Sequence, residues 1–346
     1  MKKFFKVCLL MLSLISTVVL TGCGKDENAV KTFKDKNVRV VIGSTSTSGD
    51  SYLIADTVMR YLGKELGANM KVDAVGAAEA LNVMQTAKPD GNTIMIFHDL
   101  TYLGVLFGAY GEEFALETMT VGPRAAQNPG AAWAARKDAP YSTLVEIPEY
   151  LKNNPNEIVR MACETGSVSH VGFVVFYNWV KENYDEDIAK RMVIVVGGGT
   201  SDQCQLLWDK NCDVIFADYT ALKDYTETDD KQIAMKFIGL MDDIDGVNVP
   251  SCKEQGITLN GQEFSFAKDF IIYAPKDFPA ELITELDTAV EKVCSNPEFI
   301  SDLSEKMSYR PAYLKSSDAK TYIYNKRAEL KKVIDASPSI DELVQR

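Results

Sequence analysis

The chain has 346 residues, 46% of them hydrophobic and 25% charged, and its 49 acidic against 37 basic side chains give a formal net charge of −12. That length is too great for one small core and sets two domains as the starting expectation. No Lys/Arg cluster or stripe interrupts the acidity, which excludes nucleic acid as a partner.

The N-terminus reads as an export signal. Lys2, Lys3 and Lys6 precede an apolar run over 7–20 that is too short to span a bilayer. The run ends in Leu20-Thr21-Gly22-Cys23, which resembles a bacterial lipobox. That resemblance implies removal of residues 1–22, lipid on Cys23 and an extracytoplasmic protein anchored to the cell membrane. Residues 23–35 are polar without an apolar period and read as a flexible tether. Cys163, Cys204, Cys212, Cys252 and Cys294 remain beyond the anchor. They show no CxxC or Cys/His spacing, so no metal or other cofactor is expected. Buried free thiols, or at most two bridges, are.

Strand and helix patterns then alternate. "VRVVI" is a strand and the stretch from Tyr52 a helix whose apolar face carries Leu53, Ile54, Val58, Leu62 and Leu66. "MKVDAV", "AAEALNVMQTA" and "TIMIF" read as strand, helix and strand, and 100–128 as a less regular stretch. "GAAWAAR" is a strand, and "TLVEIPEYLKN" a helix with Thr143 near its cap. "EIVRMAC", "RMVIVV", "CDVIFAD", "AMKFIGLM" and "DFIIYAP" are strands. "SVSHVGFVVFYNWVKE" is a helix apolar almost all round, which places it between layers. Helices over 280–295, 297–306 and 317–334 close the chain. Such alternation argues for an α/β protein with mostly parallel sheets.

In sheets of that kind ligands sit where strands end and helices begin. Four of those junctions are rich in Gly, Ser and Thr and nearly free of Lys and Arg: "GSTSTSGDSY", "HDLTY", "ETGSVSH" and "GGGTSD". Glycines let backbone N–H groups converge, hydroxyls add short donors, and each helix N-terminus favours an anion. One such loop is simply a good cap. Four at strand–helix junctions point to a site for a small carboxylate. The candidate residues are Ser44, Thr45, Ser46, Thr47, Ser48, Gly49 and Tyr52; His98 and Asp99; Thr165, Gly166, Ser167, Ser169 and His170; Gly197, Gly198, Gly199 and Thr200; and Asp218 at a further strand end.

These junctions resemble the extracytoplasmic solute receptors of tripartite tricarboxylate transporters, the Bug-type binding proteins. The likeness is collinear over about 38–337. Pro89-Asp90-Gly91-Asn92-Thr93 matches the family's Pro-Asp-Gly-Tyr-Thr, and Gly166-Ser167-Val168-Ser169-His170 its Gly-Ser-x-x-His. The stretch from Val195 to Gly199 aligns with Val-Pro-Tyr-Lys-Gly, and that from Cys212 to Phe216 with Val-Asp-x-x-Phe. The run from Val249 to Gly256 matches Val-Pro-Thr-x-x-Glu-x-Gly, and that from Ala274 to Pro279 matches Ala-Pro-x-Gly-x-Pro. The family's Gly-Gly-x-x-Asp falls on Ser48-Gly49 and, three residues on, Tyr52, where a phenol replaces the acid.

The resemblance implies a two-lobed, type II Venus-flytrap fold of the periplasmic binding proteins, with the ligand between lobes. It divides the chain into one lobe of 36–124 plus 267–346 and another of 125–266, with the C-terminal helices back on the first. It implies a receptor, not an enzyme, that binds a small organic carboxylate and passes it to integral membrane transporter subunits. The chain is expected to be monomeric. A ligand sensor for a signalling partner and an extracellular hydrolase of small esters stand as alternatives. Against the hydrolase, no nucleophile elbow is present. Asp202 stands where a dinucleotide loop needs its third glycine. His98 and His170, the only histidines, read as cleft residues or as braces. Arg124 reads as a cleft cation or a surface or hinge residue. Trp133, Trp179 and Trp208 read as core, and Tyr52 as the aromatic wall.

Overall fold

The computed structural model describes residues 31–47 and 49–344. The export signal, Cys23 and Ser48 lie outside them. In chain order the first part runs β1 (Asn37–Ile42), α1 (Asp50–Leu66), β2 (Asn69–Ala74), α2 (Ala77–Thr86), β3 (Thr93–Phe97) and α3 (Leu100–Leu106). After two short 3-10 turns comes β4 (Met119–Asn128). The middle part is β5 (Ala131–Arg136), α4 (Glu146–Asn153), β6 (Val159–Cys163), α5 (Val168–Asn183) and α6 (Glu186–Ala189). It continues through β7 (Met192–Val196), α7 (Thr200–Trp208), β8 (Val214–Asp218), α8 (Tyr219–Glu227) and β9 (Met235–Leu240). A hairpin, β10 (Thr258–Leu259) and β11 (Gln262–Glu263), precedes β12 (Lys268–Pro275). The chain closes with α9 (Ala280–Cys294), α10 (Pro297–Met307), β13 (Arg310–Leu314), α11 (Ser316–Ala336) and α12 (Ile340–Leu343).

The strands form a six-stranded sheet in the order β13-β4-β12-β3-β1-β2 and a five-stranded sheet in the order β7-β6-β8-β5-β9. Both are mixed, not mostly parallel. β1 pairs in parallel with β2 and β3, and β6 with β7 and β8. β12, β4 and β13 pair antiparallel, as does β5 with both β8 and β9. The reason is local. Parallel neighbours need a helical crossover, but β4 passes through Pro129 and Gly130 straight into β5, and the chain returns into β12 without a helix. The expected first boundary at 124/125 falls inside β4, whose pairing with β12 runs through Asn128.

β1 ends in a buried apolar run, Val40 to Ile42, because helices cover both faces of its sheet. On one face α1, α9 and α10 bury Ile54, Val58, Leu62, Leu286, Val290 and Phe299. On the other, Phe97, Tyr102 and Val121 share one apolar core with α5, α11 and the second sheet's Trp133, Met161 and Val214. The largely apolar α5 thus lies where it serves both sheets. Trp133 and Trp179 are buried, and Trp208 is half-buried against Tyr225.

Three further expectations are corrected. The stretch 100–128 holds α3, the 3-10 turns and the ten-residue β4. Thr143 caps no helix: α4 starts at Glu146, the Leu144 N–H is held by Gln255, and the Thr143 hydroxyl is buried with no hydrogen-bond partner among the described residues. The chain's end also leaves the first sheet. Leu343 is buried and Val344 pairs in parallel with Ile194 on the free edge of β7.

Candidate ligand cleft

The polar residues that link the sheets are grouped at Lys268, the first residue of β12. Its ammonium pairs with Asp50, the first residue of α1. Asn128, the last residue of β4, gives one amide hydrogen to Asp50 at 2.9 Å and the other to Asp218 at the end of β8, while its oxygen accepts the Gly130 N–H at 2.7 Å. Asp218 also caps α8 through the Thr220 N–H. Asp50 and Asp218, on different sheets, are therefore held together by one carboxamide. Burial works against the Asp50 charge, but Lys268 and its hydrogen bonds outweigh it and hold the carboxyl at about 2. At Asp218 burial prevails, with Asp50 adding to it against Lys268, and the carboxyl is raised. Lys268 is kept charged by Asp50 and Asp218 against its own burial. Its charge also helps to lower the His98 pKa, and at Glu164 it works against a rise that burial and Asp202 cause.

His98 stands half-buried between Phe97 and the edge of Phe270. Burial, and then Lys268, press its pKa down to about 3. Its Nδ1 accepts the Leu100 N–H at 3.3 Å, so the neutral ring carries its proton on Nε2. That nitrogen makes no hydrogen bond among the described residues. Asp99 faces the opposite way. It is fully buried, its Oδ1 taken by Tyr102 and Lys326 and its Oδ2 by the Asp269 N–H, which leaves nothing for a ligand.

The serines of the junction before α5 are spent on the fold. Ser167 caps the helix through the Ser169 N–H at 3.1 Å and donates to the Glu164 carbonyl at 2.8 Å. Ser169 Oγ accepts the Glu164 N–H at 2.9 Å and lies 2.7 Å from Ser167 Oγ. Gly166 needs to be glycine twice over: its φ is +75°, and a Cβ would stand 3.1 Å from Ala109. His170 braces the turn, accepting the Gly166 N–H at 3.3 Å and stacking on Phe107 at 3.8 Å. Burial alone lowers its pKa to about 4. Only Glu164 and Thr165 of this junction are exposed.

In the first loop Ser44 Oγ accepts the Ser46 N–H at 3.1 Å, and Thr45, Ser46 and Thr47 are exposed. Gly49 caps α1 in ordinary extended conformation, φ −83°, and a Cβ there would have nothing closer than the Ser46 hydroxyl at 3.9 Å. The glycine that close approach demands is Gly43, whose Cβ would fall 1.8 Å from the Phe97 ring. Tyr52 is half-buried against the core under α1; the first-turn side chain that joins the polar group is Asp50. In the fourth loop Gly199 caps α7, Gly197 donates to the Cys163 carbonyl at 3.0 Å, and Gly198 accepts from Gln203 at 3.2 Å. Gly199 is exposed and Thr200 half-exposed. Arg124 is neither cleft cation nor surface residue: it is half-buried and paired with Asp269 at 2.8 Å, over the Tyr322 ring.

Sequence reading missed Asp50, Asn128, Lys268 and Tyr309, whose buried phenol approaches Asp218 and Thr220. Asn128-Pro129-Gly130 was the available signal, a polar residue before a turn between two strands. Away from this region, a groove of about 510 Å³ lies between Tyr177, Glu186, Lys190 and β7 and the C-terminal residues Pro338, Glu342 and Leu343. None of the expected site residues lines it.

The profile described as "Tripartite tricarboxylate transporter family receptor" matches residues 53–338. No curated protein matches the sequence. Among solved structures, an R. palustris protein with adipate is 15% identical with a TM-score of 0.70, covering 86% of this chain and 96% of its own. The malate-bound MatC of Rhodopseudomonas palustris is 16% identical with a TM-score of 0.65, covering 86% and 98%. The periplasmic binding protein BugD is 15% identical with a TM-score of 0.66, covering 89% and 98%. The fold is accordingly the two-lobed one of periplasmic binding proteins, with one mixed sheet in each lobe. With most of its length matched by that profile, the chain belongs to the receptor family of the tripartite tricarboxylate transporters.

Proposed function

We propose that this receptor captures a small organic carboxylate between its two sheets and delivers it to the membrane subunits of a tripartite transporter, acting outside the cell membrane as a monomer anchored through Cys23. On this reading lobe 1 comprises 36–128 and 267–337, with the crossings at 129–130 and 266–267, and the end of the chain returns to the edge of β7. The observation that carries it is the meeting of the start of α1, the ends of β4 and β8 and the start of β12 at Asp50, Asn128, Asp218 and Lys268. A ligand carboxylate there finds two kinds of donor: His98 Nε2–H and the Lys268 hydrogens that Asp50 does not use. Solved relatives of the same fold hold adipate and malate, which supports acids of that size.

The test is a thermal-shift and calorimetric screen of mono-, di- and tricarboxylates, amino acids and aromatic acids. A fitting acid at about 100 times its Kd adds about 2.7 kcal/mol of stability. Lys268→Met is expected to abolish that gain, and mass spectrometry to return the acid unchanged. Stabilisation by no acid, or steady conversion of one, rejects the proposal. The anchor is tested separately: Cys23→Ala is expected to move the protein from the membrane to the soluble fraction.

A further inference from the structure

Lys326, in the middle of α11, lies in a different element from every residue placed in the cleft. Its side chain is 14% exposed and its ammonium has three hydrogens and three acceptors: Asp99 Oδ1 at 2.6 Å, Asp269 Oδ2 at 2.6 Å and the Ala267 carbonyl at 2.8 Å. The Phe266 ring lies 3.9 Å from it on a further side. Each acceptor is the chain neighbour of a cleft residue. Asp99 follows His98, and Ala267 and Asp269 flank Lys268. The Asp269 N–H donates to Asp99 at 2.9 Å, so the end of β3 and the start of β12 are joined directly as well. Asp269 has further support from Arg124 and Gln127 on β4 and Tyr322 on α11.

We propose that Lys326 is a positioning residue of the ligand site: by holding Asp99, Ala267 and Asp269 at once, it fixes the directions in which His98 and Lys268 face the cleft. The inference rests on the carboxylate reading above. The physics is that of alternation. Along β12 successive side chains point to opposite faces, so pinning the Asp269 side chain on one face sends Lys268 to the other, while the bond to the Ala267 carbonyl holds the backbone just before it. At the end of β3 the same pin on Asp99 leaves His98 to turn toward Asp50 and Lys268. Donors placed by packing and by a supporting layer of hydrogen bonds cost a ligand little to organise.

The test compares the parent with Lys326→Met, with the double variant Asp99→Asn/Lys326→Met, and with Leu330→Ala, a buried apolar control on the same helix. The double variant leaves no uncompensated charge at residue 99 and serves if the single one does not fold. Malate and adipate are the probes, titrated by calorimetry. The polar variants are expected to lose about fivefold or more in affinity, while Leu330→Ala, though destabilised, binds as the parent does. The His98 ring resonances, readily assigned because the chain has only two histidines, are expected to shift in the polar variants without ligand and to stay in place in Leu330→Ala. Folded polar variants that lose less than about fivefold, or an unmoved His98 ring, overturn the proposal. A parent that binds neither acid counts against the carboxylate reading, and the ring resonances still decide the role of Lys326.

Discussion

At the scale of single residues, neutral imidazoles shielded from water carry a measurable cost. His98 and His170 have folded-state pKa values of about 3 and about 4, against 6.5 for an ordinary histidine. Between pH 6.5 and 4 the unfolded chain binds protons that the folded one refuses. Stability therefore falls as pH falls through that window, by about 1.4 kcal/mol per unit for each ring. Urea denaturation at pH 7 and pH 4.5 is expected to show a smaller difference for His170→Asn than for the parent; an equal difference refutes it. The two glycines of the first loop make a second contrast. Gly43→Ala drives a methyl into the Phe97 ring and is expected to cost about 1–3 kcal/mol. Gly49→Ala meets open space and is expected to stay within about 0.5 kcal/mol of the parent. Equal unfolding midpoints for the two would contradict the packing described at Gly43.

At the scale of elements, the edges of the second sheet matter most. β7 is an edge strand, and an unpaired edge is open to solvent and to other chains. The chain's own end covers part of it: Val344 pairs with Ile194, Leu343 is buried beside it, and Asn178 on α5 donates to Ser337 at 2.8 Å. Deleting 338–346 is expected to speed amide hydrogen exchange in β7 while leaving β1, an interior strand of the other sheet, at its former rate. Unchanged exchange across 192–196 would show that the terminal segment protects nothing. The helix-period stretches were legible beforehand because each has its own stripe and punctuation: α9, α10 and α11 lie within two residues of the expected spans. β13 was not, because Arg310 to Leu314 is only half-buried throughout and has no run of apolar residues.

At the scale of the whole molecule, the lobes are joined by apolar packing through α3, α5 and α11 and by a few polar bridges. Asn128 holds Asp50 to Asp218, and Arg310 of β13 pairs with Asp242 just past β9. Arg310 is well exposed on its side chain, so that pair alone contributes little. Asn128 is fully buried and its loss leaves two carboxylates facing each other, at a cost of about 1–3 kcal/mol. The double variant Asn128→Ala/Arg310→Gln is expected to have a larger radius of gyration than the parent in small-angle scattering without ligand, and to contract on adding a bound acid. Identical radii would mean that the apolar core by itself keeps the lobes together.

What the sequence determined alone was whatever is written in neighbouring residues: the alternation of strand and helix, the closing helices, the Gly/Ser/Thr junctions at strand ends and the family motifs along the chain. Periodicity and turn chemistry act over a few residues, so they can be read there. The pairing of Lys268 with Asp50 across more than two hundred residues, the saturation of Asp99 by Lys326, and the use of Ser167 and Ser169 as caps were decided only by the tertiary structure. A lysine at the start of a strand has the same local pattern whether it is solvated or lies at the centre of a cleft. Which it becomes depends on where two crossing strands set their ends, and that is a property of the closed sheets.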